Sequence, residues 1–253
     1  MTVPTTPTQI IDLSGRVAII TGAANGMGRV TAELFVSLGA KVTLTDIDSD
    51  TGTKAADALG DDAIFIPLDV SDPEAWNRVV EKTTHTFGPP TVLVNNAGIF
   101  GQQELLNIAP EEFFRHIKIN LYGPFLGTQA VLPSMKKTRK GSIVNISSVS
   151  GIGGFADQTP YAVSKWGVRG LTKTTARDLG KYGVRVNCIL PGLIDTDMAR
   201  INTPETIAAY IDSLPVGQIG APEDVARMSA FLASDAACFV TGTDIVVDGG
   251  QTV

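Results

Sequence analysis

The sequence predicts an α/β protein: a single doubly wound domain with a mainly parallel seven-stranded sheet and helices on both faces. Three observations predict it. Short β-branched apolar runs alternate with longer segments of helical periodicity. The runs are mainly apolar, of the kind buried on both faces of a parallel sheet. The alternation continues to the end of the 253 residues with no Pro-, Gly- or Ser-rich linker, internal repeat or low-complexity tract. One sheet then consumes nearly the whole chain, and right-handed crossovers put helices on each side of it.

Taken in order, the strands are RVAII, KVTLT, AIFIPL, TVLVN, SIVNIS, VRVNCIL and the closing DIVVDGG. The helical signals are clearest in SDPEAWNRVVEKTTHTF, where Ser71 and Glu74 have capping-box spacing, Pro73 sits in the first turn and Ala75, Val79 and Val80 form an inward stripe. Gly39 and Gly88 supply helix stops. Residues 1–12, MTVPTTPTQIID, read as a frayed tail, and residues 13–253 as the domain. The least regular stretch, about 193–221, follows the sixth strand as a long connection with short helical pieces; connections of that length usually cover or bind a ligand.

Composition narrows the function classes. An apolar fraction of 43%, 26 glycines and 18% charged residues describe a globular chain with a large core. Twenty Lys and Arg against 26 Asp and Glu give a formal charge of −6, which argues against nucleic acid or an anionic membrane as the main partner. The one basic run, Lys136 to Lys140, suits a solvated helix end, where cations meet the negative end of the dipole. Cys188 and Cys238 are too few for a disulfide framework, and His85 and His116 are isolated and expected at solvent or a helix surface, so no metal site is expected. No signal peptide opens the sequence and no apolar stretch reaches the roughly 18 residues that span a bilayer, so a cytoplasmic protein is expected.

Directly after the first strand comes TGAANGMGR, with Gly22, Gly26 and Gly28 spaced G-x-x-x-G-x-G where a strand hands over to a helix. Glycine there permits a sharp turn and lets a pyrophosphate approach the amides at the positive helix end. Asp46 ends the second strand eighteen residues after Gly28, where an acid accepts hydrogen bonds from an adenosine ribose. The competing reading is that Asp46 caps the next helix. A carboxylate at a ribose site opposes a 2′-phosphate by roughly 4 kcal/mol for charges about 4 Å apart at an effective dielectric near 20. Neither Asn25 nor Ile47 supplies a compensating cation, so NAD is expected over NADP.

The stretch TPYAVSKWG sets Tyr161 and Lys165 four apart, on one face of a helix. A phenol titrates near pH 10 and is a poor base at neutrality, and a neighbouring ammonium is expected to favour the phenolate by a few kcal/mol. An isolated Y-x-x-x-K is ordinarily a half-buried tyrosine with a lysine snorkelling past it. Here Ser148, at the end of the fifth strand and thirteen residues before Tyr161, lies where such sheets bind ligands and can hold a substrate oxygen.

Together these residues resemble the classical short-chain dehydrogenase/reductase family, from about Gly15 to Gly250. The resemblance rests on TGAANGMG, LDV at 68–70, NNAG at 95–98, Asn120 in KINLYG, Ser148, YAVSK, PGLIDTDM and VDGG, in that order. It implies a Rossmann-type domain and a catalytic tetrad. Tyr161 would be the acid/base, Ser148 would polarise the substrate oxygen, Lys165 would hold ribose and tune Tyr161, and Asn120 would position a water for proton relay. It further implies NAD contacts from Gly22, Asn25, Gly26, Met27, Gly28, Asp46 and Ile47. Asp69 and Val70 would lie by the adenine, Asn96, Ala97 and Gly98 along the trough, and Pro191, Gly192, Ile194, Thr196 and Met198 near the carboxamide end. For Asn96 a structural role, tying the central strands together, stands beside this. A homotetramer is implied, with the Tyr161 helix and the last strand at subunit contacts.

The substrate expected is a small-molecule secondary alcohol or its ketone. Phe100, Ser150, Ile152, Phe155, Met198 and Tyr210 are candidate pocket walls favouring a hydrophobic cyclic or aryl compound, or else are plain core. A polyol or sugar and a 3-oxoacyl thioester are the alternatives; Asp46 and the net acidity count against the thioester. An NAD(H)-sensing regulator would be expected to lose a tetrad member, and all four are present.

Overall fold

The computed structural model describes residues 11–201 and 203–253. Seven strands, β1 (Val17–Thr21), β2 (Lys41–Asp46), β3 (Ala63–Pro67), β4 (Val92–Asn95), β5 (Gly141–Ile146), β6 (Val184–Pro191) and β7 (Asp244–Val247), form one sheet in the order β3-β2-β1-β4-β5-β6-β7. Every pairing is parallel. Strand order runs outward in opposite directions from β1 and β4, so the connections leaving their carboxyl ends diverge and open a crevice.

The two-residue period of each strand divides its side chains between two cores. Ala18, Ile20, Val42, Leu44, Val94, Val144 and Ile189 face α1 (Gly26–Ser37), α2 (Ser49–Asp57) and, through Val225, Ala230 and Leu232, a C-terminal helix (Pro222–Ala233). Ile19, Leu93, Ile143 and Val186 face the other way. They meet Trp76 and Val79 of α3 (Pro73–Phe87) and Leu126, Val131 and Met135 of a long helix (Gly123–Thr138). The remaining helices are α4 (Pro110–Ile117), before that long helix α5, then α6 (Thr159–Leu179) and α7 (Pro204–Ser213), with the C-terminal helix as α8.

Two expectations are corrected here. The cap of α3 is Asp72, whose Oδ1 accepts from Glu74 N at 2.8 Å. Ser71 instead donates its N–H and hydroxyl to Asp69 Oδ1, at 2.8 and 2.7 Å. Pro73 is the first helical residue, and a proline holds its predecessor extended, so the cap falls at 72 and not one residue earlier. His116 is 1% exposed, on the inward side of α4, with Nδ1 3.0 Å from Glu112 O; His85 is exposed as expected.

Between 193 and 221 the chain makes a short 3-10 turn (Asp197–Ile201) and then α7. A single parallel bridge, Ile194 to Gly220, with Asp195 N donating to Gly220 O at 2.9 Å, ties its base together. Of the expected tail, 1–10 lie outside the described residues, while Ile11 packs on the core and Asp12 accepts from Ser14 N at 2.8 Å. Among the described residues no helix is long and apolar enough to cross a membrane.

Candidate active site

The glycine turn sits at the carboxyl end of β1, on the crevice. Gly22 and Gly26 have φ of 64° and 55°, the left-handed region that favours glycine. A Cβ on Gly28 would fall 2.2 Å from Gly22 O and 2.5 Å from Asn96 Nδ2. Asn96, just beyond β4, donates to Thr21 O at 2.9 Å and to Gly22 O at 3.0 Å, so it ties the central strands together and braces the turn at once. Asn25 precedes α1 without a side-chain cap bond, which leaves the first-turn N–H groups for another acceptor.

Asp46 reaches back to this turn: Oδ2 accepts from Ala24 N and Oδ1 from Asp48 N, each at 3.1 Å. The cap of α2 is Asp48, which accepts from Thr51 N, so Asp46 has no capping role. Ile47 beside it is 79% exposed. Asp69 is taken up locally by Ser71, whose hydrogen bonds lower its pKa, and Val70 is buried with its carbonyl accepting from Trp76 Nε1 at 3.0 Å.

Across the crevice, α4 and α5 are joined by a five-residue π turn, Lys118–Tyr122. Such widened turns often occur at functional sites, and this one carries Asn120 into the interior. Its Oδ1 accepts from Ile99 N at 2.8 Å and its Nδ2 donates to Ile99 O at 2.9 Å and to Ser164 Oγ at 3.0 Å. Gly98 lies underneath, where a Cβ would come 3.2 Å from Asn120 Oδ1 and 3.5 Å from Lys165 Nζ. Ala97 donates its N–H to Thr21 Oγ1 at 3.0 Å.

Tyr161 opens the first turn of α6 behind Pro160, and Lys165 follows one turn on, 4% exposed, with Nζ donating to Ile146 O at 2.9 Å and 5.5 Å from the Tyr161 ring centroid. Ser148, past the end of β5, accepts from Ser150 N at 3.1 Å, and its hydroxyl is near enough to the Tyr161 phenol to lower that group's pKa. Phe100 meets Tyr161 edge-on, with centroids 4.9 Å apart.

The electrostatics differ from the expectation. Burial raises the Tyr161 pKa above the ordinary phenol value, and Ser148 only partly offsets this. Burial also pulls Lys165 down to about 8. The lysine does not hold the phenol acidic in the protein alone: it is itself buried, with Nζ turned toward Ile146 O, and desolvation dominates at the phenol. Behind them the Cys188 thiol is pushed up to about 12, again by burial.

A cavity of about 300 Å³ opens in front of Tyr161. Phe100, Ser148, Ser150, Phe155, Met198 and Tyr210 bound it, as do Met27, Pro191, Gly192, Ile194 and Thr196 from the cofactor side. Ile152 is not among its walls; it packs on a small cluster of Val168, Cys188 and Leu190. Unanticipated walls are Gln102, Gln158, Thr206, Ile207 and Gln251. The Tyr210 hydroxyl accepts from Leu193 N at 3.1 Å and donates to Gln251 Oε1, which pins α7 to the last residues of the chain. Gln158, three before Tyr161, was within reach of motif reading. Gln251 and Ile207 arrive through topology, with no local signal.

The sheet order and the glycine turn at its switch point define a Rossmann-type α/β protein. A family model described as Enoyl-(Acyl carrier protein) reductase matches residues 22–252. Trans-4-hydroxycyclohexanecarboxylate dehydrogenase of Sinomonas cyclohexanicum is 40% identical over 246 residues, covering 94% of this chain and 93% of its own. A 3-oxoacyl-(acyl-carrier-protein) reductase of Thermotoga maritima is 43% identical over 244 residues, 95% of this chain and 99% of its own. The 3-alpha-(or 20-beta)-hydroxysteroid dehydrogenase of Mycobacterium tuberculosis strain H37Rv is 40% identical over 238 residues, 94% and 90% respectively. The chain belongs to the classical short-chain dehydrogenase/reductase family, and its relatives are oxidoreductases acting on alcohols and ketones.

Proposed function

We propose that this protein is an NAD(H)-dependent oxidoreductase that interconverts a secondary alcohol and its ketone, with Tyr161 as the acid/base. The observation that carries the reading is that Ser148 and Tyr161 bound one cavity, with Lys165 one turn behind Tyr161 and Asn120 tied to the Tyr161 backbone through Ser164, while Met27 of the glycine turn's helix bounds the same cavity.

The residues fit a dinucleotide. The close packing of Gly28 on the Gly22 carbonyl seats the start of α1 against the turn, where its first-turn N–H groups suit a pyrophosphate, and Asp46, held beside the turn, suits the two ribose hydroxyls of NAD. When bound, the nicotinamide accepts or supplies the hydride. Ser148 holds the substrate oxygen by a hydrogen bond. In oxidation the Tyr161 phenolate takes the hydroxyl proton as the hydride leaves the carbinol carbon; in reduction the neutral phenol returns a proton to the same oxygen. Lys165, oriented by Ile146 O, would hold the ribose of the bound dinucleotide and favour the phenolate. Asn120 fixes the Ile99 segment that precedes Phe100 and would position a water for the proton relay.

Phe100, Phe155, Met198 and Ile207 favour a hydrophobic cyclic or aryl substrate. The names of the relatives include a cyclic hydroxy acid, a steroid and an acyl-carrier thioester, and the 43% identity to the last makes 3-oxoacyl thioester reduction the second reading. A homotetramer follows from the same family reading, supported by exposed Phe114, Trp166, Val163 and Phe239 on α4, α6 and the approach to β7. A cytoplasmic location is proposed with it.

The test is a panel of secondary alcohols and ketones with NAD and NADP in parallel, thioesters included, followed at the nicotinamide absorbance band. Tyr161→Phe is expected to lose turnover of every substrate while NADH still binds. Undiminished turnover in a folded Tyr161→Phe protein would sink the assignment.

A further inference from the structure

The wall of the cavity carries no formal charge. Among the described residues that bound it there is no Asp, Glu, Lys, Arg or His. The cation of the site, Lys165, stands back from it with Nζ on Ile146 O at 2.9 Å. The polar part of the lining is made of neutral amides and hydroxyls, most of them already paired: Tyr210 with Gln251 and Leu193 N, and Ser150 Oγ donating to Gln158 Oε1 at 2.8 Å.

That last bond leaves the Gln158 NH₂ group on the wall, and no hydrogen bond from that nitrogen is found among the described residues, as is also the case for the amide nitrogens of Gln102 and Gln251. Ser150 also donates its N–H to Ser148 Oγ at 3.1 Å. Ser148, Ser150 and Gln158 are therefore linked in series, and the Gln158 donor is held in register with the serine that meets the reacting oxygen. The cavity of about 300 Å³ lies at the small end of ligand sites, and its Met27, Ile194 and Thr196 wall is the side that a bound nicotinamide would take. What is left suits a single ring.

We infer that the site takes a neutral, single-ring ketone or alcohol, meets a second uncharged oxygen of it through the Gln158 amide, and turns away the carboxylate analogue. A carboxylate brought here gives up its hydration for neutral amide and hydroxyl donors and no cation, and an unpaired charge in such a site is strongly disfavoured. An ester or ketone oxygen gives up far less and is satisfied by one donor. The inference rests on the reaction proposed above but is separable from it.

The probes are methyl 4-oxocyclohexanecarboxylate and the 4-oxocyclohexanecarboxylate anion, which share one ring, with cyclohexanone as the probe lacking a second oxygen. At neutral pH and saturating NADH, kcat/KM for the ester is expected to exceed that for the anion by about a hundredfold or more. Gln102→Arg, at an exposed position on the wall, is expected to narrow this gap about tenfold by gain on the anion. Gln158→Leu is expected to cost the ester more than cyclohexanone, reducing the ratio between them about tenfold.

Melting temperatures with NADH plus each probe separate the two proposals. If neither ketone is reduced but the ester alone raises the melting temperature, the proposed reaction fails and this inference stands. Anion and ester used within about threefold of each other, equal melting shifts, or no turnover and no shift with either would each overturn the inference. An ester-to-cyclohexanone ratio unmoved by Gln158→Leu would remove Gln158 from it.

Discussion

Replacing Lys165 by methionine is expected to stabilise the fold at neutral pH while ending turnover. The lysine is 4% exposed, and burial pulls its pKa down to about 8. Set against the ordinary lysine value near 10.4, that displacement is about 3 kcal/mol of charge strain in the folded chain. The hydrogen bond from Nζ to Ile146 O, lost in the variant, returns about 1 kcal/mol of this. The net gain is about 2 kcal/mol, or roughly 4–8 °C in Tm for a chain of this size. Its pH dependence has a definite sign. From about pH 8 to pH 10.4 the unfolded chain keeps a proton that the folded chain has released, so the parent grows more stable as pH rises. The variant's advantage must therefore be full below about pH 8, shrink through that window and reverse slightly above it. Urea unfolding of both proteins, each carrying Tyr161→Phe so that the phenol does not titrate, at one fixed protein concentration and several pH values, measures this. A Lys165→Met protein less stable at neutral pH, or an advantage that stays flat across the window, would refute the reasoning.

Three further outcomes follow from the same geometry. Asp46→Ala should cut the NAD-to-NADP ratio of kcat/KM by about tenfold or more, since a repulsion of roughly 4 kcal/mol is removed; an unchanged ratio in steady-state kinetics would show that Asp46 does not face the ribose. Because burial raises the Tyr161 pKa, the phenolate fraction grows with pH through and beyond neutrality. Alcohol oxidation should climb continuously from neutral to alkaline pH while ketone reduction declines, as read in paired pH–rate profiles. Gly28→Ala should destabilise the chain by about 1–3 kcal/mol and abolish dinucleotide binding, because its Cβ meets the Gly22 carbonyl at 2.2 Å; calorimetric titration with NADH and thermal unfolding test the two halves.

The sheet was legible because its strands are mostly apolar runs, and the central β1, β4, β5 and β6 are buried on both faces, while the edge strand β7 is only partly covered. The glycine turn was legible because its constraint is local, and Gly22, Gly26 and Gly28 meet it with φ sign and close approach. What escaped depends on a neighbour from elsewhere in the chain. Ser71 and Asp72 are both good caps, and Pro73 decided between them. His116 looked like a surface residue until α4 was packed beneath Gly101. Ile152 is apolar and close to Ser148 in sequence, yet it points to Cys188. The spacing of Tyr161 and Lys165 was readable, but the direction of the phenol's shift was not, since burial outweighs the charge one turn away.

The π turn at Lys118–Tyr122 has a consequence for how this site relates to its scaffold. A π turn is in effect one supernumerary residue threaded into an otherwise regular helix. Asn120 lies at the middle of that widened turn, so the buried amide that grips Ile99 and Ser164 owes its place to the helix's irregularity. Excising a single residue there would let the coil close into ordinary pitch with both flanking segments still seated, leaving an intact architecture with the chemistry unhooked from it.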